Sequence, residues 1–205
     1  GVVAGIVLNK LYFPGDDPAI STLLAYSTFA VGFVSRPLGG IIFGHFGDKI
    51  GRKKMLVTTL MIMGVSTVAI GLVPTYAQIG VAAPLLLLFL RVIQGIGLGG
   101  EWGGAILMAY EYAPPEKRGF YASLPQLGLS FGVLLSSIVI AGLTLTLTDE
   151  QFMAWGWRSA FVLSFALILF GLWIRLKIME TPAFAEMKKS HGEAKVPFLD
   201  MLRRY

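Results

Sequence analysis

The sequence predicts an all-α integral membrane protein, and three observations carry that expectation. Hydrophobic residues make up 55% of the 205-residue chain and charged residues only 14%, against about 25% charged in an ordinary soluble domain. Mean hydropathy is +0.71. The few charges are clustered: residues 55–90 and 119–148 contain none. A run of ~20 apolar residues crosses a bilayer as a helix. The helix is the form in which a single segment satisfies its own backbone in the absence of water.

Five complete spans follow from the apolar runs, at residues 21–43, 55–73, 83–110, 120–145 and 160–176. The opening stretch, "GVVAGIVLNKLYF", is too short to span. It has no starting Met, basic segment or cleavage site, so it is no signal peptide. It reads as the second part of a first helix that begins before Gly1. Residues 1–179 are thus expected to form a six-helix unit. Residues 180–205 are polar and mixed in charge, and are expected to be a soluble loop with a short amphipathic helix. The chain reads as a fragment at both ends.

Charge sets the orientation. The connections containing "GDKIGRKK" and "PPEKRG", with the tail and the helix end that feeds it, hold thirteen of the 17 Lys and Arg residues. The connections on the other side hold only Lys10 and Arg158, and Arg36 and Arg91 lie inside spans. Lys and Arg are retained on the cytoplasmic side. The net charge of +5 therefore reflects topology in a plasma membrane, here a bacterial inner membrane, and no nucleic-acid partner is expected. The absence of Cys removes disulfide and thiol chemistry. "GIGLGG" fits a dinucleotide fingerprint literally, but such a fingerprint needs a strand before it, and this one lies within a single apolar span. No catalytic or metal-ligand pattern is present. His45 and His191 lie in or beside cytoplasmic loops, and no enzyme activity, cofactor or metal is expected.

Two groups of motifs remain. "GHFGDKIGRKK", residues 44–54, joins the second and third spans. Gly47 and Gly51 are expected to permit a tight reversal, with Asp48 set among basic residues. On the fourth span, Arg91, Gln94 and Glu101 fall within one arc of roughly 80°, counted at ~100° per residue. Ionisable groups inside a membrane face a cavity or a partner, so this arc is expected to face the substrate path. Gly95, Gly99 and Gly103 repeat every four residues, as do Gly100 and Gly104, a spacing that lets helices approach closely. "SLPQLGLSFG" on the fifth span, with Pro125, Gly128 and Gly132, suggests a bent and closely packed helix.

G-x-x-G-D-x-x-G-R-K-K resembles the loop between helices two and three of the major facilitator superfamily. "RVIQGIG" from Arg91 and the Glu111-to-Arg118 spacing of "EYAPPEKRG" resemble further motifs of that superfamily. "RPLGG" from Arg36, "GGEWGGA" and "METPAF" resemble its metabolite:proton symporter branch. The resemblance covers nearly the whole chain and implies the first six of twelve helices. It implies alternating access for a small organic acid or zwitterion driven by protons, completed by a C-terminal six-helix half. It also implies an acidic residue in helix one, before Gly1.

On that basis Arg91, Gln94, Glu101 and Arg36 are candidates for substrate binding or proton coupling. Gly44, Gly47, Asp48, Gly51, Arg52, Lys53, Glu111 and Arg118 are candidates for a cytoplasmic conformational lock. Arg36 and Glu101 each lie about ten residues from a cytoplasmic helix end, a depth of ~15 Å. They are expected to form an ion pair, with Glu101 as proton carrier the rival reading. The alternatives are a sugar porter or drug exporter of the same superfamily, or a membrane protein that does not transport.

Overall fold

The computed structural model describes residues 7–15 and 17–177 of the chain, with the side chain of Asp48 outside that description. The expected amphipathic helix in residues 180–205, the boundary at 179 and the opening residues 1–6 also lie outside it.

Every described element is helical. A π turn at Val7 and Leu8 leads into α1 (Asn9–Tyr12). Helix α2 (Pro18–Val34) starts on Asp17, whose carboxylate accepts from the Ala19 N–H at 2.8 Å, with Pro18 at the first helical position, where its missing N–H costs nothing. A turn at Ser35 separates this helix from α3 (Arg36–Ile50), although Ser35 keeps its own ladder bonds, to Val31 O at 3.0 Å and from the Gly39 N–H at 3.3 Å. Pro37 causes the break, since it has no N–H to donate to the preceding turn. The two pieces together make one apolar segment, Pro18–Gly47.

Gly51, with φ 103° and ψ 144°, turns the chain into α4 (Arg52–Leu72). This corrects the expectation for residues 44–54. The segment is helix on both sides of one residue, and Gly51 alone makes the reversal. Gly47 lies within α3, and a Cβ added there would sit 3.6 Å from Met55 Cγ. Helix α5 (Tyr76–Ile79) is held by a capping box between Thr75 and Gln78. Helix α6 (Ala82–Tyr112) is the longest. A 3₁₀ turn (Pro115–Lys117) leads to α7 (Arg118–Thr146). Then α8 (Asp149–Gln151) and a π turn (Phe152–Gly156) lead to α9 (Trp157–Lys177).

Helix α6 is the hub, packed against α2, α3, α4 and α7, while α4 also carries α9. The densest core lies at the end away from the basic turns. There Tyr12, Ile70, Val73, Ala83, Leu87 and Trp157 pack together, and Tyr12 meets Trp157 edge-on at 6.2 Å. Two polar groups at the edge of this core are satisfied, while Trp157 Nε1 is buried without a hydrogen-bond partner among the described residues. Tyr12 Oη donates to Val73 O at 2.7 Å, and Arg158 Nη1 to Gly71 O at 2.8 Å. Helix α7 buries none of its residues. A Cβ at Gly128 or Gly132 would meet nothing within 4 Å, so the expected close packing of this helix is not found within the unit.

Candidate functional site

The site is organised by the two faces of α6. Counted at ~100° per residue, Gly95 falls only about 40° from Gly99 around the helix. A Cβ on Gly99 would run into the backbone carbonyl of Arg36, and one on Gly95 into that of Gly32. A Cβ at Gly39 would likewise strike Ile96 O. The helix pair Pro18–Ile50 and α6 therefore touches backbone to backbone. By the same count Gln94, Gly97, Glu101 and Gly104 fall roughly 140° to roughly 220° from Gly99, on the opposite side. Gly97 and Gly104 face Met63 and Leu56 of α4. A Cβ at Gly103 would meet nothing within 4 Å, so this glycine takes no part in the packing expected from its spacing.

Three polar groups follow one another down α6 toward the basic end. In the first, Arg91 Nη1 donates to Gln94 Oε1 at 2.9 Å, and Gln94 Nε2 donates to Thr67 Oγ1 of α4 at 2.7 Å. The Arg91 guanidinium lies 4.1 Å from the centre of the Phe29 ring of α2. Its Nε is buried without a hydrogen-bond partner among the described residues.

The second group is built on Glu101. Arg175 of α9 grips both carboxylate oxygens, Nη1 to Oε2 at 2.9 Å and Nη2 to Oε1. Thr59 Oγ1 of α4 donates to Oε2 at 3.1 Å, and Arg175 Nη1 also donates to Leu56 O. Two parallel bonds to a guanidinium are the strong form of this contact. The expected Arg36–Glu101 pair is thereby corrected. Glu101 lies on the far side of α6 from Gly99, the residue that touches Arg36. The depths differ as well, because α3 runs on to Ile50. At ~1.5 Å per residue Arg36 stands ~21 Å from that end, while Glu101 stands ~16 Å from Tyr112. Arg36 instead stacks 3.8 Å from the centre of the Phe33 ring. Its Nε is buried and has no hydrogen-bond partner among the described residues.

The third group holds the basic end. Arg52 Nη2 pairs with Glu111 Oε1 at 2.9 Å, joining the start of α4 to the end of α6. Lys53 Nζ donates to Leu176 O at 2.9 Å, which ties α4 to α9. Arg118 does not join Glu111. It sits 4.9 Å over the Tyr110 ring, and its Nε has no hydrogen-bond partner among the described residues. A Cβ at Gly44 would meet nothing within 4 Å. Between α4, α6 and α9 a cleft of about 720 Å³ opens, with Lys53, Leu56, Met108, Tyr112 and Arg175 on its walls.

Arg175, Thr59 and Thr67 were missed in the sequence. Arg175 reads there as one of the basic residues bordering the last span. The available signal was its position inside the apolar run "LILFGLWIRLK", before the run ends. The threonines give no signal, because a helical Thr bonds its own backbone and looks apolar by pattern.

The model of the sugar (and other) transporter family matches residues 8–202. The chain belongs to this family. It is a multi-pass membrane protein of the major facilitator superfamily. Its family relatives include the inner membrane metabolite transport protein YhjE of Escherichia coli, 49% identical over 202 residues, covering 98% of this chain and 46% of that protein. The shikimate transporter of the same bacterium is 46% identical, covering 100% and 47%. The proline/betaine transporter of Salmonella typhimurium is 44% identical, covering 87% and 36%. The chain thus spans about half the length, or less, of these curated relatives. Among solved structures, the proton:xylose symporter XylE of E. coli superposes with a TM-score of 0.80 at 20% identity, covering 93% of this chain and 43% of that one. This likeness shows the fold. The relatives named here are transporters and not enzymes.

Proposed function

We propose that the full-length protein is a proton-coupled symporter that takes up a small organic acid or zwitterion by alternating access. One observation carries this reading. A guanidinium, Arg91, is held on Phe29 and Gln94 inside the membrane-spanning region, with a buried donor still unpartnered among the described residues. A buried donor without an acceptor is costly, and a charge at this depth marks a substrate or ion path. A carboxylate would satisfy it, because the guanidinium fork matches carboxylate geometry. The relatives named for shikimate and for proline and betaine support the substrate class, since each of those solutes has one carboxylate.

In this reading residues 1–179 form one of two rocking halves, and residues 180–205 the central cytoplasmic loop. Arg91 takes the substrate carboxylate and Gln94 orients it. The connection from Gly44 to Lys53, with Asp48, Gly51, the Arg52–Glu111 pair and Arg118, serves as the lock that favours one conformation. The test is uptake by the full-length protein of labelled shikimate, proline, betaine, 2-oxoglutarate and citrate, with and without a protonophore. Accumulation of one of these that collapses with the protonophore supports the reading. Uptake of a neutral sugar alone, or no uptake of any solute, overturns it in favour of a sugar porter or of a membrane protein that does not transport.

A further inference from the structure

The acids of the chain can be accounted for one by one. Of its 12 Asp and Glu residues, Glu101 stands well inside a span and Glu111 stands at the basic end of α6. Arg175 grips the first and Arg52 the second. Asp17, Glu116, Asp149 and Glu150 stand at helix starts. Asp48 stands near the end of α3, Asp16 precedes α2, and the remaining four acids lie beyond Lys177 in the tail. The spans therefore contain two further guanidiniums, Arg36 and Arg91, without a carboxylate among the described residues.

These two are arranged together. Arg91 lies 4.1 Å over the Phe29 ring and Arg36 lies 3.8 Å over the Phe33 ring. Phe29 and Phe33 are four residues apart on α2, which places their rings on one face with a rise of ~6 Å between them. Both arginines have a buried Nε without a hydrogen-bond partner among the described residues. Ring faces attract cations and hold the planar groups in place, but they accept no strong hydrogen bond. No carboxylate among the described residues pairs with either cation. The ladder is complete only when negative charge is supplied to it.

We propose that Arg36 is a second carboxylate-binding group, one helical turn from Arg91, and that its carboxylate comes from outside the described helices. The inference rests on the proposed uptake of carboxylates, in which Arg91 alone was given the substrate. The carboxylate has two sources. One is a second acidic group on the substrate itself. The other is an acidic side chain elsewhere in the full-length transporter, which would enter the ladder as the protein changes conformation.

The experiment compares Arg36→Gln and Arg36→Lys in the full-length protein, with uptake normalised to the monodisperse fraction seen by fluorescence size-exclusion chromatography. Arg36→Lys keeps the charge and reports on folding. The substrates are labelled shikimate and proline, with one carboxylate, and 2-oxoglutarate, with two. If Arg36→Gln lowers 2-oxoglutarate uptake at least tenfold and spares whichever one-carboxylate solute is carried, the substrate is the source. If every carried solute falls at least tenfold, and second-site revertants replace an Asp or Glu by a neutral residue, the protein is the source. Wild-type uptake in properly folded Arg36→Gln overturns the proposal, as does a uniform loss without such revertants. A wild-type protein that carries no carboxylate at all defeats the functional reading first, and is distinguishable from both.

Discussion

Glu101 of α6 and Arg175 of α9 meet in a two-bond ion pair braced by Thr59 of α4. Three helices that cross at different points of the sequence are thus pinned at one carboxylate. The side chains are 15% and 19% exposed respectively, so the pair is largely desolvated. Removing one partner of a buried pair costs about 3–5 kcal/mol, while replacing both by apolar groups is often neutral or stabilising. We expect Glu101→Gln and Arg175→Met each to lower the melting temperature of the detergent-solubilised protein. The double change to Leu and Met is expected to recover most of the loss. This also bears on Glu101 as a proton carrier. A carboxylate with both oxygens held by one guanidinium has a structural task, so Glu101→Gln is expected to impair folding. A well-folded Glu101→Gln protein that exchanges substrate but no longer accumulates it would reverse that conclusion.

The glycine stripe on α6 separates positions that look alike in sequence. At Gly99 an added Cβ would enter the backbone carbonyl of Arg36, whereas at Gly103 it would meet nothing within 4 Å. Backbone cannot rotate away as a side chain can. Overpacking of this kind costs typically about 1–3 kcal/mol, and at a backbone contact the upper end is expected. Gly99→Ala should reduce thermal stability by several degrees, and Gly103→Ala should leave it unchanged. Thermal melts of the two variants side by side decide the matter, and equal effects would count against the packing described.

The Arg52–Glu111 pair at the basic end is 19% and 11% exposed on its two side chains. One Glu111 oxygen is buried without a hydrogen-bond partner among the described residues, so Glu111→Gln would weaken an already imperfect contact. This pair is as desolvated as Glu101–Arg175, so losing one partner is expected to cost more than the ~1 kcal/mol that shifts a balanced two-state equilibrium about fivefold. Glu111→Gln and Arg52→Gln are expected to insert normally and to change the labelling of engineered cysteines from the two sides of the membrane. Unaltered labelling from both sides would remove the pair from the lock.

Arg91→Lys preserves charge and loses the planar fork that reaches Gln94 and stacks on Phe29. A lysine at a stacked, two-bond position is not a conservative change. Uptake by the full-length protein is expected to fall at least tenfold with expression retained. Near wild-type uptake by Arg91→Ala would take Arg91 out of the substrate site.

Much of this architecture was open to reading in the primary structure because the bilayer is a stringent solvent. It demands ~20 apolar residues per crossing and sorts Lys and Arg by side. The five spans follow from the first demand, the second is the ground of the orientation expected for them, and the close helix contacts at Gly95 and Gly99 follow from the four-residue glycine spacing. The Gly51 reversal was legible for a related reason, since a positive φ at a helix junction selects glycine. What one-dimensional pattern cannot supply is azimuth and partner. Periodicity placed Arg91, Gln94 and Glu101 on one arc of α6, but which helix that arc meets depends on how α3, α4 and α9 dock around it. Gly99 touching Arg36 on one side forces Glu101 to the other, where Arg175 arrives from 74 residues away in sequence. Long-range pairing of this kind is set by packing geometry, and only the folded unit decided that the buried glutamate answers Arg175 and that Arg36 stacks on Phe33 instead.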